Sequence, residues 1–440
     1  MTSPDPTPPA SHTGETLPAA RRRRTILYSL VTLVVALLFL EGTARVGMWL
    51  LNSNRWEEDQ RRLADRAASI TDIGEIVHPY VGAVYDPDDH PDYTLGGKPA
   101  AYNRLGFSHA TDPIQKRSPE RYIIGVTGGS VAWQFACIAG DRLIENLHQI
   151  PELQDREIVL VCLALTGYKQ PQQLMSVNYI MSLGGEFDLL INFDGFNEVA
   201  VAEWCYRRRI SPAYPRAWPS KLPFGHDPTA LTDRFQIWAV RAERQRLARD
   251  IRESWFRGSA LRQLWWKSAD QRLQRKETDI SDLLANANLR EELSYVRNGP
   301  PETFSSDADM YARFVDIWSN SSRAMHSLAI GSRFDYLHCL QPNQYDPGSK
   351  PLSEEEQHKA FNSDSEYKHS VEHGYPLLRA AGERLREEGV RFHDLSQMFR
   401  DHPETLYGDD CCHVYDYANA LFADELARIV ASELFHVNTR

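Results

Sequence analysis

The chain has 440 residues, 42% of them hydrophobic and 10% aromatic, and a formal net charge of -11 at pH 7. That is enough apolar material for a sizeable core, and too acidic a balance for a general nucleic-acid binder, which carries a basic face. The six cysteines, Cys137, Cys162, Cys205, Cys339, Cys411 and Cys412, are too few to be the scaffold of a chain this long, and no Cys-x-x-Cys spacing marks a metal site. Cys162 and Cys339 sit in apolar runs and read as small buried hydrophobes. In an oxidising compartment a bridge would involve Cys205, Cys411 or Cys412.

Residues 1–24 form a tail. Met1 to Ala20 is rich in Pro, Ser and Thr and reads as disordered, and Arg21 to Arg24 follow it. Residues 25–51 read as a transmembrane anchor, because Thr25 to Leu40 carries no charge and the apolar character resumes at Val46 to Leu51. Glu41-Gly42-Thr43-Ala44-Arg45 is not a clean small-residue cleavage site, so a retained anchor is expected rather than a signal peptide. The four arginines put the tail in the cytoplasm and everything after Leu51 on the far side, periplasmic or extracellular, by the positive-inside bias.

Residues 52–118 read as a stalk and approach segment, with a charged helix over Asn52 to Ser69 and little regular structure over Pro79 to Pro113. Asp86-Pro87-Asp88-Asp89-His90 reads as a solvated turn in preference to a cation site. From residue 119 to 440 the pattern changes. Tyr122 to Thr127, Glu157 to Leu165 and Leu189 to Phe193 are continuous apolar runs of the kind buried on both faces of a parallel sheet, with helical patterns at Val131 to His148 and Gln172 to Leu183 between them. Further strands are expected at Phe334 to Leu340 and Val390 to Leu395. A helix should open at the capping box Ser353-x-x-Glu356, and a last one should run from about Tyr417 to Phe435. The expected fold is therefore α/β, a three-layer α/β/α sandwich on a parallel sheet.

An insertion of about 205–307 interrupts it, rich in arginine and carrying Trp218, Trp238, Trp255, Trp265 and Trp266. Its helical stretches, such as Asp233 to Phe256, fit a lid over the sheet edge. The arginines read first as a solvated helix face and second as a face for lipid headgroups or an acidic polysaccharide.

Four polar blocks follow strands or precede the last helix: Gly128-Gly129-Ser130, Leu165-Thr166-Gly167-Tyr168, Gly195-Phe196-Asn197 and Asp410-Cys411-Cys412-His413. Ser130 at a strand-to-helix turn is a nucleophile candidate on the edge where open α/β sheets bind ligands. The Ser130 N–H, a Gly167 N–H and the Asn197 amide would receive an oxyanion. Asp410 and His413, three residues apart, fall on one side of a tight turn, and an imidazole whose unperturbed pKa is about 6.5 suits a general base at neutral pH.

In this order the four blocks resemble the SGNH hydrolase superfamily, also called GDSL esterases and lipases, over roughly Glu120 to Phe435 apart from the insertion. Asp-x-x-His before Asn419 and a C-terminal helix is the most specific match. Gly129 and Glu198 stand where the family often has Asp. The anchor, Asn103-Arg104-Leu105-Gly106-Phe107 and Asp194-Gly195-Phe196-Asn197 resemble membrane-anchored bacterial members. The resemblance implies a Ser130-His413-Asp410 triad in a flavodoxin-like SGNH fold. It also implies a serine esterase that needs no metal or organic cofactor and acts on O-acyl, chiefly O-acetyl, groups of an acylated carbohydrate or another ester. The same residues suit an O-acyltransferase acting on an envelope polysaccharide, and an inactive polysaccharide-binding module would keep the fold alone.

Overall fold

The computed structural model describes residues 19–50, 56, 60, 61, 63, 64, 75–88, 91, 93–222, 228–285 and 295–436. Residues 1–18 of the tail expected to be disordered, most of the 52–69 stalk, and Asp89 and His90 of the acidic turn lie outside the described residues, whereas residues 19–24 of that tail are already helical. The chain divides into two compact units, one of residues 1–68 with 237–279 and one of residues 69–236 with 280–440.

In the first unit, α1 is a single helix, Ala19–Leu50, whose Ile26–Leu50 stretch is long and apolar enough to cross a membrane. Most of two further helices, α5 (Pro228–Glu253) and α6 (Ala260–Ala285), also belong here, so the middle of the expected insertion groups with the N-terminal helix and not with the sheet. The reason lies in the side chains. Val240, Ala248, Ile251, Ala260 and Trp266 are buried, and two insertion arginines join α5 to α6 instead of facing water. Arg244 reaches Asp270 at 2.7 Å and Glu277 at 2.9 Å, and Arg241 reaches Glu277 at 2.6 Å.

The second unit opens with two antiparallel hairpins, β1 (Glu75–His78) with β2 (Gly82–Tyr85) and β3 (Thr94–Leu95) with β4 (Lys98–Pro99), where little regular structure was expected. The following Asn103 folds the chain tightly, because its side-chain oxygen accepts the N–H groups of Leu105 and Phe107.

The core is a five-stranded parallel sheet: β5 (Arg121–Gly128), β6 (Glu157–Cys162), β7 (Leu189–Asp194), β8 (Asp335–Leu340) and β9 (Arg391–Asp394), in the order β6-β5-β7-β8-β9. All four pairings are parallel, and β5 to β8 are buried almost end to end, which is why they read as largely apolar runs, whereas the edge strand β9 buries only Phe392. Counted along the chain this is the 2-1-3-4-5 order of flavodoxin-like sheets. The chain reverses direction across the sheet after β6, so right-handed crossovers put α2 (Ser130–Leu147) and α3 (Gln172–Ser182) on opposite faces. On one face α2 packs against the last helix, α10 (Asp416–Leu434). On the other, α7 (Asp307–Ser332) packs against α3 and against α9 (Glu366–Glu387). A short helix, α8 (Glu354–Lys359), opens with the expected capping box, Ser353 and Glu356 each bonding the other's backbone N–H. The reversal point falls between β5 and β7, where ligands bind in such sheets, and both Ser130 and Asn197 follow strands that end there.

Candidate active site

The glycines at the end of β5 allow the sharp turn that sets Ser130 at the carboxyl edge of the sheet. A Cβ on Gly128 would collide with the Phe193 carbonyl and Ala132, and one on Gly129 would collide with the Asn197 amide. The chain therefore turns at once into α2 with Ser130 as its first residue, and the hydroxyl sits at a helix N-terminus, where the peptide dipoles favour negative charge.

His413 lies in the loop that leads to α10. Its Nε2 is 2.7 Å from the Ser130 Oγ, and its Nδ1 is 2.5 Å from Oδ2 of Asp409. The carboxylate at the imidazole is thus Asp409 and not the expected Asp410, which is exposed. The cause is local. Asp409 Oδ1 accepts the backbone N–H groups of Cys411, Cys412 and His413 at 3.0, 3.1 and 3.2 Å, and this wraps the loop so that the earlier acid faces inward. Burial alone would raise the Asp409 carboxyl. The bond to His413, the charge of the imidazole and the loop N–H groups outweigh it, and the carboxyl is held down to about 2. An ionised carboxylate only accepts, so Nδ1 carries the proton and Nε2 is left to accept from the serine hydroxyl.

Asn197 and Gly167 are brought to the same edge. The Asn197 side chain packs on Gly129 and donates to the Tyr168 carbonyl at 2.8 Å, next to Gly167, and its amide carries a second N–H. Gly167 is buried with φ +72°, and the Arg216 side chain lies over it. Asn197 opens a π-helical turn, Asn197–Val201, of the kind found at functional sites.

Sequence reasoning missed the side chains that hold these loops. Glu198 is buried and joins the loops that carry Gly167 and Asn197: Oε2 accepts Gly195 N at 2.8 Å, while Oε1 accepts Gln170 N at 3.1 Å and Gln173 Nε2 at 2.9 Å. Burial and the charge of Asp194 push its carboxyl well up. Asp194, at the end of β7, collects bonds from Trp318 at 2.7 Å, His338 at 3.0 Å and Asn192 at 2.9 Å. The His413 loop is held from behind by Asn343 on the Cys411 carbonyl, Gln344 on the Asp409 carbonyl and Glu356 on the N–H groups of Leu406 and Tyr407. Glu356 is also paired at 2.7 Å with Lys350, both side chains fully buried. The capping box contains Glu356, and Asp194 and Glu198 flank Gly195-Phe196-Asn197, but nothing in their spacing showed which loops they hold.

All six cysteines are free, and the Cys411 and Cys412 sulfurs stand 2.8 Å apart beside the site. Cys411, Cys412 and His413 bring three donor atoms within 4.8 Å of one another. Both imidazole nitrogens are already engaged, by Asp409 and Ser130, so a metal ion there would displace one of those bonds.

No family model matches the chain, and no curated protein matches it. Among solved structures it is similar to an acetyl xylan esterase, AlAXEase, at 13% identity and a TM-score of 0.33, over 70% of this chain and 99% of that one. A likeness at that score carries no argument about this site.

Proposed function

We propose that the chain is a membrane-anchored serine ester hydrolase of the SGNH type, with Ser130 as nucleophile, His413 as general base and then general acid, and Asp409 as the carboxylate that orients it. One observation carries this reading: the unbroken line Asp409–His413–Ser130, at 2.5 and 2.7 Å, at the carboxyl edge of a parallel sheet and at the start of a helix. The Ser130 Oγ attacks the acyl carbonyl as His413 Nε2 takes its proton. The oxyanion is received by N–H groups of Ser130 and Gly167 and by the Asn197 amide. His413 returns the proton to the leaving alcohol, and water, activated by the same nitrogen, releases the acyl group. Ser130 is only 6% exposed, which favours a small acyl group such as acetyl, carried on a carbohydrate.

The anchor belongs to the same proposal. α1 crosses the membrane within its apolar Ile26–Leu50 stretch, Arg21 to Arg24 hold the tail in the cytoplasm, and the sheet-bearing unit lies outside.

The test is acetate release from 4-nitrophenyl acetate and from an O-acetylated glycan by the detergent-solubilised full chain. Turnover by the parent that falls by roughly 10⁴- to 10⁶-fold in Ser130→Ala is the expected result. Turnover that Ser130→Ala retains contradicts it, and acetyl appearing on an added glycan instead of as free acetate makes the enzyme a transferase.

A further inference from the structure

The side chains of α1 are exposed from Ile26 through Leu40, and the first to turn inward are Glu41 and Ala44. Glu41 is an acid inside an otherwise apolar span, and its carboxylate has a specific partner. Oε1 accepts Ala260 N at 2.7 Å, and Oε2 accepts the Ser259 hydroxyl at 2.8 Å and Leu261 N at 3.2 Å. These are groups at the start of α6, where unpaired N–H groups and the helix dipole favour an anion. One turn further on, Arg45 donates to the Gly258 carbonyl at 3.0 Å. Two charged side chains of α1 thus hold the turn that joins α5 to α6.

That turn is ordered by its own bonds, Arg257 N to Ser254 O and Ser259 N to Phe256 O, both 3.0 Å, and Gln263 Nε2 to Arg257 O at 2.8 Å. Despite this order it presents two large apolar rings to the outside. Trp255 is 91% exposed and Phe256 61%, with ring centroids 5.2 Å apart, and the exposed Arg252 and Arg257 flank them. Aromatic rings at the tip with guanidinium groups beside them is the composition of a segment seated at the headgroup level of a bilayer.

The level fits as well. A span of about 20 residues counted from the end of the arginine run reaches the far boundary near Ala44. Glu41 and Arg45 therefore hold the turn at that boundary.

We propose that the α5–α6 turn is a second membrane contact, with Trp255 and Phe256 seated at the headgroup–acyl boundary of a phospholipid bilayer beside the point where α1 leaves it. This rests on the reading of α1 as a membrane span. The span alone fixes position with one helix that is free to rotate and tilt. A second contact, joined to it through Glu41 and Arg45, would restrict both.

The test places a photoreactive benzoylphenylalanine at Phe256, or separately at Val34 in the middle of the span. Each full-length chain is reconstituted in vesicles of phosphatidylethanolamine and phosphatidylglycerol carrying a radiolabelled phospholipid. Crosslinking to lipid from both positions is expected, with loss of the signal at position 256, but not at 34, when Glu41→Gln and Arg45→Gln are added. Crosslinking from 34 without 256 overturns the second contact and leaves the anchor standing. Lipid crosslinks from neither position remove the anchor and the second contact together.

Discussion

Asp409 Oδ1 holds three consecutive N–H groups of its own loop while Oδ2 holds the imidazole, so this one side chain shapes the loop and orients the His413 ring. Replacing it with Asn keeps the volume but makes one terminal atom a donor, which conflicts with either the loop N–H groups or the proton on Nδ1. Asp409→Asn should therefore lower kcat by about 10²- to 10⁴-fold, whereas Asp410→Asn, at an exposed carboxylate, should leave it near the parent. Steady-state hydrolysis of 4-nitrophenyl acetate by the two variants separates them. The same carboxylate gives a pH signature. Its folded value, about 2, lies below the usual 3.9 of a free aspartate, so its contribution to stability is full above that ordinary value and is lost as pH falls through about 2. The difference in unfolding free energy between parent and Asp409→Asn should therefore shrink as pH falls from about 4 toward 2. A difference that grows across that interval would contradict the assignment.

At the scale of elements, α8 acts through Glu356. Burial alone would raise its carboxyl, but Lys350 and the N–H groups of Tyr407, Ser353 and Leu406 outweigh that and keep it low. Glu356 thereby fastens the start of the His413 loop to α8. Glu356→Gln leaves the Lys350 charge buried without a counter-charge and should cost about 3–5 kcal/mol of unfolding free energy, measurable by urea denaturation. Glu354→Gln, at an exposed residue of the same helix, should cost almost nothing. Equal stabilities for the two variants would show that the buried pair does not hold the loop.

Over the whole molecule, the sheet was legible in the sequence because parallel strands covered on both faces are apolar along most of their length, as Tyr122 to Thr127 and Leu189 to Phe193 are apart from the buried Thr127 and Asn192. The Ser353 cap was legible because its signal spans four residues. The carboxylate that meets His413 was not, since Asp409 and Asp410 both lie within reach of it in sequence and only the three N–H bonds to Asp409 decide which one turns inward. Glu198, Asp194 and Glu356 also bond segments far away in the chain, at Gln170, Trp318 and Leu406, and no local spacing announces those partners. The grouping of residues 237–279 with the N-terminal helix was equally hidden, because it depends on Glu41 meeting a helix start more than two hundred residues later.

The central claim is an activated serine at position 130. It is tested most directly by labelling the detergent-solubilised full chain with a fluorophosphonate probe and locating the adduct by peptide mass spectrometry. An adduct on Ser130 of the parent is predicted, absent in Ser130→Ala and strongly reduced in His413→Ala. A folded parent that takes no label, or a label that survives Ser130→Ala, would contradict it.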